Sequence, residues 1–336
     1  MGHSMSLRIG VIGAGAMGAD HVHTLSTSVP AARVSEVYDF DLERARSVAD
    51  SVGAKVASSA DDLIASDDVD AVIICSPDPT HAELAKACID ARKSVLCEKP
   101  LGVTPAESLS VVEAEIGARH QYVQVGFMRR YDPGFLELRA TLRSGDLGDP
   151  RLVHFLHRNA AAHPSATSEG IVTNSMIHEL DIVRWLFDDE VVGIEVRSPV
   201  AEGLRDPQLA TIEMRSGLLA SAEVFVNASY GYDVRCEVVG TRGTASVVPA
   251  QGVNLRRQGS DGVKVSNDFI ARFADAYRLE LGAWVDGALT SEVRGPTAWD
   301  GHLANVIAAA GVESLTTGEP RPVTVPETPS LYASHA

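Results

Sequence analysis

The 336-residue sequence predicts an α/β protein: a doubly wound parallel sheet, then a second α/β domain with a mostly antiparallel open sheet. Three observations carry this. The first half alternates buried-looking apolar runs with helical patterns, a glycine-rich turn joins the first run to the first helix, and from about residue 150 short strands are separated by hairpin-length turns. The boundaries expected are 6–126 for the first domain and 127–330 for the second.

The opening element is "LRIGVIGAGAMGADHVHTL", an apolar strand that runs into Gly13, Gly15 and Gly18 and then into a helix. This is G-x-G-x-x-G in the strand-to-helix context it requires. One glycine permits the tight turn, the next lets backbone approach a pyrophosphate, and the third packs helix on strand. The helix N-terminus then offers N–H groups to phosphate. A second strand, "ARVSEVYDF", ends in Asp39, 21 positions after Gly18, where a carboxylate can accept both hydroxyls of a ribose. Asp39 could instead open the helix "DLERARSVAD", although Asp41 would cap it equally well.

The alternation continues through "DDLIAS" (helix), "VDAVIICSP" (strand), "THAELAKACIDA" (helix), "KSVLCEKP" (strand), "PAESLSVVEAEIGA" (helix) and "QYVQVGF" (strand). In such a sheet ligands bind beyond the C-terminal strand ends, so this is a Rossmann-type dinucleotide site with NAD as the expected cofactor. The positions expected to face it are Gly13, Gly15, Ala16, Met17, Gly18, Asp39, Ser76, Pro77, His81, Glu98 and Lys99. Lys99 is the odd member, a cation following a buried strand, and it needs a reason to be there.

In the second half the strands are "RLVHFLHR", "VVGIEVRS", "LATIEMR", "GLLASAEVFV", "VRCEVVG", "TASVV" and "VNLRR", expected in one sheet with hairpins at "RSG" and "TRG". The helix "NSMIHELDIVRWLF" interrupts them, with Asn174, His178 and Asp181 at i, i+4 and i+7 on one face. A late helix near 297–316 is expected to pack back on the first domain.

Composition excludes several classes. With 45% apolar residues, 22% charged residues and a net charge of −16, the chain is an ordinary globular protein without the basic face a nucleic acid or anionic membrane would need. No run reads as a membrane span or signal peptide, so a cytoplasmic location is expected, and "MGHSM" reads as an expression-tag scar outside the fold. Cys75, Cys88, Cys97 and Cys236 form no C-x-x-C pair and the eleven histidines no H-E-x-x-H pattern, so neither a disulfide nor a metal is expected.

Six stretches then carry a resemblance: "IGVIGAGAMG", "EKP", "GFMRRYDPG", "IHELDIVRWL", "YGYDVRCEVVG" and "GPTAWDG". Together, from about residue 7 to 330, the chain resembles the glucose-fructose oxidoreductase and inositol dehydrogenase (Gfo/Idh/MocA) family, most closely its bacterial inositol 2-dehydrogenases. The resemblance implies a homotetramer in which Lys99 reaches the substrate hydroxyl and His178 takes part in proton transfer. Arg129, His157 and Tyr232 resemble substrate-contacting positions, with Tyr230 a competitor for Tyr232 two residues away. One departure stands out: the family helix usually carries an aspartate four residues before the histidine, and this chain has Asn174.

The function expected is therefore NAD-dependent oxidation of a ring secondary alcohol of a cyclic polyol, foremost myo-inositol to the 2-keto inosose. Removing a hydride from carbon requires removing the hydroxyl proton as well. Lys99 would stabilise the alkoxide and His178, whose kind titrates near ~6.5, would accept the proton. The rivals are another inositol isomer, a pyranose such as glucose, or a catalytically silent NAD-sensing regulator marked by Asn174.

Overall fold

The computed structural model describes residues 6–247 and 253–333. Residues 1–5, expected to be a tag scar, and Val248, the last residue of the expected strand "TASVV", lie outside them. The chain divides into two compact units: one runs through Tyr131 and includes Asp275–Asn305 and the segment from Glu327, while the other is Asp132–Ala274 with Val306–Pro326.

The first unit is built on six parallel strands: β1 (Leu7–Ile12), β2 (Ala32–Tyr38), β3 (Lys55–Val56), β4 (Ala71–Ile74), β5 (Ser94–Cys97) and β6 (Val123–Val125). Their order is β3-β2-β1-β4-β5-β6, the doubly wound arrangement whose direction reverses between β1 and β4. Helices cover both faces of such a sheet, which is why β4 reads as the uninterrupted run "AVII" and every one of its residues is buried. Val72, Ile73 and Ile74 each contribute about 1.5–3 kcal/mol by burial. The two-residue edge strand β3 is exposed and too short to leave a pattern in the sequence.

Local chemistry sets where the helices begin. Asp41 caps Leu42–Val52 by accepting the N–H groups of Glu43 and Arg44. Thr104 caps Pro105–Ala118, with proline in the first turn and Glu107 reaching back to the Val103 N–H. A helix not anticipated, Phe269–Thr290, supplies Leu281, Trp284 and Val285 to the apolar cluster that holds Ile9, Val11 and Leu25. Its signal was present, since Phe273, Tyr277, Leu281 and Val285 recur every fourth residue and all are buried.

The second unit carries a seven-stranded sheet of β7 (Pro150–Arg158), β8 (Val191–Arg197), β9 (Gln208–Met214), β10 (Leu219–Phe225), β11 (Asp233–Gly240), β12 (Thr244–Val247) and a short final strand, Arg321–Pro322. It is mostly antiparallel, as expected, but β7 and β10 run parallel, from Leu152 beside Leu219 to Arg158 beside Phe225. The strict alternation of buried and exposed residues along β9 leaves one face covered and one open.

Two expectations need correction here. The run "VNLRR" does not join this sheet: among the described residues β13 (Asn254–Arg257) pairs with β14 (Ser260–Val263) as a separate hairpin. Its eight residues are all exposed, so it has no apolar face to bury against a sheet. The helix "NSMIHELDIVRWLF" is also not uniform, since Ile171–Met176 winds as a π-helix and the α-helix proper is Ile177–Phe187. A π turn closes i→i+5, so the winding between Asn174 and His178 is not that of one uninterrupted α-helix.

The late helix is Ala298–Thr317. Its residues through Asn305 cluster with the first unit, where Asn305 donates to the Gly102 carbonyl at 2.6 Å and His302 meets Ser108 at 3.0 Å. The rest cluster with the second unit.

Candidate active site

In the first unit the three glycines of the first turn differ as their chemistry requires. Gly13 has φ +98°, and a side chain there would sit 2.5 Å from the Cys75 backbone. At Gly18 a Cβ would overlap the carbonyl oxygen of Gly13, so helix and turn approach as only glycine allows. A Cβ at Gly15 would meet nothing within 4 Å, which leaves open space beside the backbone. Ala16, Met17 and Gly18 begin the helix Ala16–Ser28, which has no side-chain cap and no acidic residue in its first turn. An uncapped helix start with an open cradle fits a pyrophosphate.

Asp39, at the end of β2, is buried and accepts the Ala14 N–H at 2.7 Å and the Asp41 N–H at 2.9 Å. It therefore ties the glycine turn to the second strand and leaves helix capping to Asp41. A cation also lies close, which the sequence reading did not foresee: Arg44 Nη1 is 3.8 Å from the Asp39 carboxylate, and its guanidinium lies 5.7 Å over the exposed Phe40 ring.

Beyond β4, Ser76 shares a 2.6 Å hydrogen bond with Thr80, and Pro77 precedes a short turn. His81 is buried with Nδ1 2.7 Å from the Pro100 carbonyl and Nε2 2.8 Å from the Ser76 carbonyl, so it clasps the loops after β4 and β5 together. Glu98 and Lys99 follow β5 directly. Burial pulls the Lys99 ammonium below its ordinary range, aided by Arg129, while Glu98 and Asp78 oppose that loss. Arg129 is itself buried, in the turn Met128–Tyr131 that follows β6.

The second unit holds the other group. His157, on β7, faces Glu179 through Nδ1 at 3.2 Å and the Tyr232 hydroxyl through Nε2 at 3.5 Å. With Glu179 ionised, His157 donates through Nδ1 and leaves Nε2 to accept. The His178 ring lies edge-on to His157, with centroids 6.2 Å apart. Asn174 sits in the π-helical stretch directly before His178, a kind of irregularity often found at functional sites. The two tyrosines separate cleanly: Tyr232 is buried against His157, Phe269 and Phe273, whereas Tyr230 is half exposed and engages Asp233 and Arg158. Asp181 is buried one turn after His178.

Sequence reasoning passed over Glu179 and His21. Glu179 follows His178 directly and is fully buried; His21 shares the buried face of its helix with Gly18, Val22 and Leu25, so its spacing reads as core.

Comparison with known proteins agrees with this architecture. A family model described as "Oxidoreductase family, NAD-binding Rossmann fold" matches residues 7–127, and the GFO/IDH/MocA C-terminal domain matches residues 135–246. The chain is 46% identical to inositol 2-dehydrogenase 1 of Saccharopolyspora erythraea, covering 98% of this chain and 100% of that one. It is 40% identical to an inositol 2-dehydrogenase of Klebsiella pneumoniae, covering 98% and 99%. Among solved structures, the myo-inositol dehydrogenase of Lactobacillus casei in complex with NAD(H) and myo-inositol aligns with a TM-score of 0.93 at 35% identity, covering 98% of this chain and 100% of that one. The chain belongs to the Gfo/Idh/MocA family of NAD-binding oxidoreductases.

Proposed function

We propose that this protein oxidises a ring hydroxyl of an inositol with NAD, foremost the 2-hydroxyl of myo-inositol to the 2-keto inosose. The observation that carries the reading is Lys99, a partly buried cation just beyond the end of β5 in a dinucleotide-binding sheet. The likeness to dehydrogenases named for inositol supports the substrate class. When bound, NAD supplies the hydride acceptor. Lys99 holds the substrate oxygen and stabilises its developing negative charge, and His178 accepts the hydroxyl proton. Arg129, His157 and Tyr232 provide donors and acceptors that select one hydroxyl among several. Identification of the product from myo-inositol and NAD by NMR tests the reading: the 2-keto inosose is expected, and a ketone at another carbon contradicts it.

Asn174 belongs to the same reading as a neutral partner of the proton acceptor. An amide can hold an imidazole ring, but it supplies no negative charge to stabilise the imidazolium. Asn174→Asp is therefore expected to move the acid limb of the kcat/KM profile toward higher pH, because the base then holds its proton more tightly. A limb that stays in place or moves down removes His178 from its role.

NAD is expected over NADP by at least about tenfold in kcat/KM, since a 2′-phosphate would meet the Asp39 carboxylate. With Arg44 already 3.8 Å from that carboxylate, Asp39→Ser alone should shift the ratio toward NADP, and adding Phe40→Arg should shift it further. Asp39 also bonds the Ala14 N–H, so the single variant should lose about 1–3 kcal/mol of stability. Equal efficiency of the wild type with both cofactors would contradict the assignment of Asp39.

A homotetramer in the cytoplasm completes the proposal. Leu152, Leu209 and Leu219 are exposed on the open face of the second sheet, a surface suited to pairing with another copy.

A further inference from the structure

His21 is fully buried in the helix Ala16–Ser28, three residues beyond Gly18. Its Nε2 lies 2.9 Å from Glu98 Oε1, while the other oxygen of that carboxylate, Oε2, accepts the main-chain N–H of Lys99 at 3.3 Å. Glu98 is itself buried, and a Cβ at Gly126 would come within 3.0 Å of its Oε2, so its position is tightly enclosed. Burial works to raise Glu98, but the bond and charge of His21, then Lys99 and His81, outweigh it and hold the group below its ordinary value. A carboxylate only accepts, so the proton of this pair lies on His21 Nε2.

We propose that His21 is a positioning residue for Lys99: its Nε2–H holds the Glu98 carboxylate at the end of β5, where that carboxylate fixes the Lys99 main chain and sets negative charge beside the ammonium. This rests on Lys99 being the group that meets the substrate hydroxyl. A buried carboxylate without such a donor tends to take up a proton. Its charge would then be lost to Lys99.

The charges around this chain of contacts fix the sign of the effect. Lys99 is faced by Glu98, by Asp78 from the turn after β4 and by Arg129 from the turn after β6. Glu98 is faced by His21, Lys99 and His81. Tyr277 packs edge-on against His21 at 5.7 Å, and Glu280, on the same helix as Tyr277, is buried and acts on Cys75. Desolvation and Arg129 pull Lys99 down while Glu98 and Asp78 pull it up. Weakening the hold on Glu98 must therefore lower Lys99 further. A histidine that merely fills the core would change stability and leave Lys99 alone.

Trace acetylation of the full-length protein across a pH series, with the Lys99 peptide quantified by mass spectrometry, reads the titration of Lys99 without substrate or turnover. His21→Leu is expected to lower the midpoint by at least about half a pH unit. His21→Gln, whose amide can still donate, should stay within about 0.2 of a unit. Glu98→Gln should lower the midpoint at least as far as His21→Leu, and adding His21→Leu to it should bring no further shift, because the histidine acts through the carboxylate. An unchanged midpoint in Glu98→Gln, or in folded His21→Leu, overturns the proposal, as does an additive double variant. Since the readout needs no polyol, a protein inert toward inositols would count against the proposed function and leave this result standing.

Discussion

Replacing Lys99 by methionine is expected to lower kcat for inositol oxidation by about 10² or more while changing NAD affinity less than about threefold. Methionine keeps much of the stem and removes the charge, so packing is nearly conserved while the alkoxide loses its cation. Lys99→Arg should recover only part of the rate, because a planar fork does not present charge as a compact ammonium does. Burial pulls Lys99 below its ordinary range, so its charged form is lost at lower pH than that of a solvent lysine. The alkaline limb of wild-type kcat/KM should accordingly fall below about 10.4, the ordinary lysine value, and Lys99→Met should abolish that limb. Stopped-flow measurement of hydride transfer with a separate NAD titration checks both parts. Equal losses in NAD affinity and kcat would make Lys99 a structural residue.

Gly15 and Gly18 are expected to fail in opposite ways when each is replaced by alanine. A Cβ at Gly18 meets the backbone oxygen of Gly13, which no rotamer change can relieve. The first turn must move, at a cost of about 3 kcal/mol, and NAD binding should weaken with it. A Cβ at Gly15 meets no protein atom within 4 Å, so the fold should keep its Tm within experimental error. That methyl instead enters the space a pyrophosphate needs, and NAD Kd should rise at least about tenfold. Thermal melts and NAD titration on the two variants separate the effects. A Gly15→Ala protein that binds NAD normally would show that the pyrophosphate lies elsewhere.

Much of the fold is legible because its signals are local. The run into Gly13, Gly15 and Gly18, the carboxylate at Asp39 and the alternation through β6 all follow from residues that act within one turn or one strand. What escaped depends on distant or absent partners. The parallel pairing of β7 with β10 joins residues more than sixty positions apart, and nothing in either strand specifies its neighbour. The hairpin β13–β14 looks like sheet from propensity and departs only because it has no apolar face. The π winding at Ile171–Met176 is invisible to a pattern that assumes α spacing. At the site, residues at strand ends could be named from topology, since strand termini collect ligands. His21 and Arg44 could not, because one looks like core and the other like surface until Glu98 and Asp39 are placed beside them.

The most direct test of the central claim is a panel of polyols and sugars offered with NAD, followed by absorbance of the reduced cofactor. It should include myo-, scyllo- and D-chiro-inositol, glucose and an acyclic polyol. The expected result is turnover concentrated on inositols, with myo-inositol giving the highest kcat/KM and Lys99→Met inactive on every substrate. Turnover of glucose above all inositols would contradict the substrate assignment. NAD binding with no turnover on any member of the panel would contradict the claim that this chain is a dehydrogenase of ring hydroxyls.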